Sequence, residues 1–216
     1  MHIEDYVFVK PGDTLTINLN EFSLLPKHKF KSREDIRYYL WFRRKVFKVY
    51  PFAQLASQKL DSLNISLGKM PSKRKRRKYT RLVQNYVEVE FTDQIKKMTT
   101  TEGRVLIKLI HRQTGNTVFQ NIKTLRSGWK AFWYNTTANV FKLSLKTTYH
   151  PASDNEDFLI EDILQRAFQD DVLKPQASKL PFDFAEIIAE KKSAINVEQY
   201  KLMFAKIRKK QKRKKK

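Results

Sequence analysis

Three kinds of side chain in this 216-residue sequence could do chemistry: four histidines, two carboxylate clusters and two dense runs of lysine and arginine. Acid–base catalysis needs a titratable group within hydrogen-bond reach of its partner. The helical candidate is His111 with Glu102. Nine residues apart on a helix, they stand about 13 Å apart along the axis, so they cannot pair within that helix. His2 is terminal, His28 lies in the basic stretch KHKFK, and His111 and His150 are isolated. No pair has metal-ligand spacing of the His-Glu-x-x-His kind, and no nucleophile elbow, phosphate loop or dinucleotide fingerprint occurs. With no cysteine, disulfides, thiolate catalysis and cysteine-ligated zinc are excluded. The carboxylates of DNED (residues 154–157) and IED (160–162) read as helix caps. The expectation is a non-enzymatic protein with no catalytic residue, no metal and no cofactor.

What remains is electrostatics. The net charge is +22, and it is concentrated. Six consecutive cations, Lys73, Arg74, Lys75, Arg76, Arg77 and Lys78, sit mid-chain, and nine more lie between Lys206 and Lys216, among them Arg208, Lys209, Lys210, Lys212 and Arg213. Outside those runs the sequence carries only +7. Discrete basic segments are the pattern of interaction elements. Arg104, Lys108 and Arg112, in step with His111, are expected to form a cationic ridge on a further helix. These residues form the candidate polyanion-binding set. Arginine forks and stacks on phosphate, which favours RNA or a ribonucleoprotein. The same segments would suit an anionic membrane surface at about 1 kcal/mol per basic residue.

The elements that must position these groups are mostly helical. Tyr6–Val9, the turn pair Pro11-Gly12 and the alternating TLTINLN predict an N-terminal β-hairpin. Ser32 is the expected N-cap of a helix that Pro51 should break or kink and that Gly68 should cap at its C-terminus. A second helix is predicted over about 72–98, beginning with the six cations. A helix N-terminus disfavours cations by ~0.3–1 kcal/mol each, so the run predicts either an anionic neighbour or a solvated first turn. Thr99 and Glu102 form a capping-box pattern and Gly115 a C-cap for a third helix, with a narrow apolar face on Val105, Leu106, Leu109 and Ile110. A long helix is expected over about 117–145. A polar connector follows through DNED, then a helix over 158–168 and a linker, LKPQASKLP. Asp183 and Glu186 should cap a last helix running into the basic tail.

Trp129, Phe132 and Trp133, with Trp41 and Phe42, could stack bases or sugars, but their helical spacing predicts core. No apolar run approaches the ~20 residues of a membrane-spanning helix. The expected fold is mainly α. A helical domain of about five to six amphipathic helices (31–170) follows an N-terminal hairpin and lead-in (1–30). It precedes a linker and C-terminal helix (171–205) and a basic, disordered tail (206–216).

YYLWFRRKVFKVYPFAQLA (38–56), TEGRVLIKLIHRQTG (101–115) and LRSGWKAFWYNTTA (125–138), in that order, resemble the domain of unknown function 4294 family of Bacteroidota. The resemblance runs from about Tyr6 to Phe168. It implies no activity and carries over no site residue. For location it implies the cell envelope, since many members of the family begin with an export signal. The start MHIEDYVFVK lacks a basic-then-apolar signal pattern, so this chain is expected in the cytoplasm, or in the periplasm if an export segment precedes Met1. The runner-up function is therefore an envelope protein contacting anionic lipid or a membrane-associated assembly.

Overall fold

The computed structural model describes residues 25–28, 30–124 and 144–191. They form six helices and no strand: α1 (Arg33–Lys69), α2 (Lys73–Lys96), α3 (Thr100–Thr114), α4 (Val118–Thr124), α5 (Asn155–Gln169) and α6 (Phe184–Glu190). The architecture is mainly α. The expected β-hairpin, residues 125–143 of the expected long helix and the Lys206–Lys216 tail lie outside the described residues. Residues 144–149, where that long helix was expected to end, are turn and irregular backbone.

α1 starts as its sequence requires: Ser32 accepts a hydrogen bond from the Asp35 N–H, and Glu34 and Asp35 face the partial positive charge of the first turn. It does not stop at Pro51. Proline cannot donate to the carbonyl four residues back, yet Val46, Val49, Tyr50 and Ala53 around it are all buried. Their packing holds the helix continuous across the lost bond. Nor does Gly68 cap the helix, which runs to Lys69 with Met70 as its cap.

α2 folds back along α1. Tyr79 Oη donates to Ser66 Oγ at 3.2 Å, and farther on Lys59 Nζ lies 4.9 Å from the centre of the Tyr86 ring. The partners retreat along α1 as α2 advances, so the two helices form an antiparallel hairpin. Ile95 and Met98 then enter the core. Among the described side chains between Leu63 and Ile95 none is fully buried, so the far half of the hairpin is an arm.

α3 is the central helix. Thr99 and Glu102 cap it reciprocally, and Gly115 ends it at φ 72. Its expected narrow apolar face is only part of what it buries: Thr101, Glu102, Gly103 and every residue from Val105 to Gln113 are inside. α5 begins at Asn155 rather than the expected 158, and the DNED carboxylates cap it as their spacing suggested: Asp154 Oδ1 accepts from the N–H groups of Glu156 and Asp157. The stretch read as a linker is a strap tied across the core. Tyr50 Oη donates to the Lys174 carbonyl, Gln176 Nε2 to Ser57 Oγ, and the Lys179 N–H to the Arg112 carbonyl.

Gly68 and Gly115 give opposite expectations. Gly68 is helical and nothing lies within 4 Å of an added Cβ, so Gly68→Ala should stabilise the fold by about 0.5–1 kcal/mol. Gly115 needs φ 72, so Gly115→Ala should destabilise it by about 1 kcal/mol. Chemical denaturation of both variants checks the pair; if Gly68→Ala destabilises, α1 does not continue through Gly68.

Candidate functional site

The α3 cations are not a surface ridge. Lys108 and Arg112 are 4 % and 1 % exposed, and all three cations meet carboxylates of α5. Arg104 Nε donates to Glu156 at 2.9 and 3.0 Å. Lys108 Nζ lies 2.6 Å from Asp157 Oδ1 and 3.3 Å from both Asp154 and Glu156. Arg112 grips Glu161 with two parallel bonds of 2.7 and 2.8 Å and donates a third to the Gln176 carbonyl. Glu161 also accepts from Tyr149 Oη and Gln165 Nε2, each at 2.7 Å. Pairing outweighs burial for two of these groups. Burial alone would lower the Lys108 and Arg112 pKa values, but the facing carboxylates raise them. For Glu161, burial pushes upward and Arg112 holds it below the usual carboxylate range. Asp157 goes the other way. Its burial lifts it to about 6 against the pull of Lys108, which is shared among three acids. This ladder was missed because i, i+4, i+8 spacing reads the same whether the cations face water or acids. The available signal was the matching acid spacing of 156/157 and 161.

His111 and His28 are equally committed. His111 Nδ1 accepts the Tyr149 N–H at 2.9 Å. Burial, then the neighbouring His150, lowers its pKa, so it is the neutral ring with its proton on Nε2. His28 Nε2 meets Asp162 Oδ2 at 2.6 Å; Tyr39 and Arg166 also donate to Asp162, and Arg166 donates to the Pro26 carbonyl. That clasp ties the lead-in to α5. An open cleft of about 560 Å³ lies between the strap and α5, but its charged walls include Arg112 and Glu161, which saturate each other. Among the described residues no group of three His, Asp or Glu side chains is placed to hold a metal ion.

The six α2 cations are placed differently. All are exposed, and no carboxylate among the described residues forms an ion pair with them. Between Asp61 and Glu88 the sequence contains no acid and eight cations: Lys69, Lys73 to Lys78, and Arg81. Ser72 makes no side-chain cap bond. The neighbour at this helix start is the C-terminal end of α1, whose partial negative charge favours cations, and Arg76 Nε donates to the Met70 carbonyl. That contact replaces the acidic partner the sequence suggested; DNED is occupied on α3. Leu82, Tyr86 and Val89 stand exposed on the next turns of α2. Of the sequence-predicted set, Lys73 to Lys78 are thus brought together on the arm, Arg104, Lys108 and Arg112 are internal, and Arg208, Lys209, Lys210, Lys212 and Arg213 lie outside the described residues.

Residues 13–166 match the family described as a domain of unknown function, DUF4294. No curated protein and no solved structure matches the chain. No described helix is long and apolar enough to cross a membrane.

Two measurements probe the electrostatics. Arg112 without its carboxylate would be a buried, unpaired cation, so Glu161→Leu should cost about 3–5 kcal/mol. The double variant Arg112→Met/Glu161→Leu should recover much of that loss; a double variant worse than the single would mean the pair is not what holds the site. Glu102 gives a pH limb. Burial favours its neutral form, but the Thr99 N–H together with Lys45 and Lys48 holds it down to about 2. A depressed carboxyl stabilises the fold above its unfolded value near 4.5 and loses that contribution as pH falls towards 2. Melting temperature followed over this window should drop more steeply in the parent than in Glu102→Gln.

Proposed function

Because the chain belongs to the DUF4294 family, whose description assigns no activity, we propose its function from the geometry: it is a non-enzymatic helical binding protein that docks on a polyanion, RNA or a ribonucleoprotein, through the basic tip of the α1–α2 hairpin. The observation that carries this reading is the contrast between two sets of cations. Those on α3 are matched by α5 carboxylates, whereas Lys73 to Lys78 are exposed in an acid-free stretch. Unmatched charge at that density is unfavourable for the isolated fold, which favours a counter-charge from outside. The Lys206–Lys216 run is a second basic element on the same chain, and two tethered elements would raise each other's effective concentration.

A second reading is docking on an anionic membrane surface in the cell envelope. It is supported by the exposed Leu82, Tyr86 and Val89 next to the cations, since apolar side chains beside basic ones suit a lipid interface.

Binding of the full chain to RNA, to DNA and to anionic vesicles across a salt series tests the proposal. Affinity should fall steeply with salt. Arg74→Gln/Arg77→Gln/Lys78→Gln, which spares the Arg76 contact with Met70, should weaken binding and lower the salt slope by roughly one per lost phosphate contact. Thermal stability should be unchanged or slightly higher. Salt-independent affinity, or a stability loss with intact binding, would overturn the reading.

A further inference from the structure

Two successive backbone N–H groups just before α5 are held by titratable side chains from different helices. The Tyr149 N–H donates to His111 Nδ1 of α3 at 2.9 Å, and the His150 N–H donates to Asp157 Oδ2 of α5 at 2.8 Å. A third tie reaches α4, where the Phe119 N–H donates to the Leu145 carbonyl at 3.0 Å. Residues 144–150 are thus the joint at which α3, α4 and α5 meet. A ring nitrogen accepts a hydrogen bond only while it carries no proton. The bond that ties this joint to α3 therefore exists in one protonation state of His111 and not in the other.

His111 is 7 % exposed, so a proton on it places a charge in the interior. The His150 ring lies 6.3 Å away and repels that charge when it is itself protonated. On α3 the neighbours Lys108 and Arg112 are cations, and from the end of α6 Lys191 donates to the Pro151 carbonyl. The α5 carboxylates are engaged elsewhere: Asp154, Glu156 and Asp157 with Lys108, and Glu161 with Arg112 and the Tyr149 hydroxyl. Among the described residues no carboxylate bonds the His111 ring. Its pKa is accordingly lowered, by burial first and by His150 second.

We propose that His111 is a proton-operated latch: neutral, it holds residues 144–150 on α3, and protonated, it releases them while the α3–α5 ladder stays shut. The ladder keeps its charges because pairing raises Arg112 and lowers Glu161, each away from neutral pH. An opened joint takes up the His111 proton near the ordinary histidine value of about 6.5, and the closed joint takes it up only at lower pH. Opening therefore becomes easier as pH falls below about 6.5, by up to about tenfold per pH unit until the closed-state value is reached. Asp157 acts in the opposite sense. Burial lifts it to about 6 in the closed joint, so it takes its proton before an exposed carboxyl does, and acid favours closure through it. The latch is independent of what the tip of α2 binds.

The test is hydrogen exchange of the full chain, read by mass spectrometry from about pH 7.5 to about pH 5 and corrected for the intrinsic pH dependence of exchange. Two variants separate the acceptors. His111→Asn keeps an acceptor for the Tyr149 N–H without a titratable ring, and Asp157→Asn does the same for the His150 N–H. In Asp157→Asn, opening of residues 144–150 should rise by up to about tenfold per pH unit below about 6.5, while the middles of α3 and α5 stay protected. The parent should rise less steeply, because Asp157 opposes, and His111→Asn should not rise at all. An equal rise in His111→Asn, a flat response in Asp157→Asn, or exchange rising together through α3 and α5 would overturn the latch. Should a variant fail to fold, the ring resonances of His111 in the parent decide. Proton uptake coincident with opening supports the latch; opening without uptake, uptake without opening, or neither refutes it.

Discussion

The structure depends on making a charged helix internal. α3 carries Arg104, Lys108 and Arg112 at four-residue steps, yet it is buried on almost every side. That arrangement stands only because α5 supplies carboxylates opposite all three cations and Glu161 is saturated by Arg112, Tyr149 and Gln165. Removing water from an ion costs several kcal/mol, and only close pairing with satisfied hydrogen bonds offsets it. The pairs advance in the same direction along both helices: Arg104 with Glu156, Lys108 with Asp157, Arg112 with Glu161. A shift of one helix along the other would break all three together. The ladder is therefore a register device as much as a source of stability.

The rest of the domain is arranged around that register. Tyr149, which donates to Glu161, places its own N–H on His111. The Gln176 carbonyl accepts from Arg112 and its amide reaches Ser57 on α1, so the strap is bonded to both helices at one point. Glu102, fixed by the α3 cap, accepts from Lys45 and faces Lys48, which attaches α1 at the other end. Polar groups are doing the specifying here, while Phe42, Val46, Val49 and Leu109 supply the apolar burial that drives collapse.

Much of this was legible locally and little of it globally. Caps are local physics. Ser32, Thr99 with Glu102, Asp183 and Gly115 can be read from types and spacing because each acts within one turn. Gly68 misled because α1 continues past it to Lys69, and at Pro51 one lost hydrogen bond is set against a run of buried side chains, so α1 runs on through the proline. The ladder was illegible for a different reason. A cation's rotational position on a helix is set by spacing, but whether that side meets water or acid depends on a partner about fifty residues away. The tip was legible in position and charge, since it lies in one unbroken run. Its orientation needed Ser66 and Met70 to show which side faces α1.

Matched and unmatched charge are segregated within the described residues. Charge that holds the fold together is paired, buried and spread over α1, α3 and α5. Charge left over is exposed at the end of an arm whose apolar contacts, through Tyr79 and Val83, lie on its inner side. Repulsion among the six cations is eased by the C-terminal end of α1 and by the Arg76 contact with Met70, so the hairpin turn can hold them close without a carboxylate. Had an acid been placed there instead, it would have filled the position that an external phosphate can take. A helix start without acids is thus unfavourable for the isolated fold and favourable for an anion-binding one, which is why its survival at the tip, beside a core where every α3 cation is matched, bears on function.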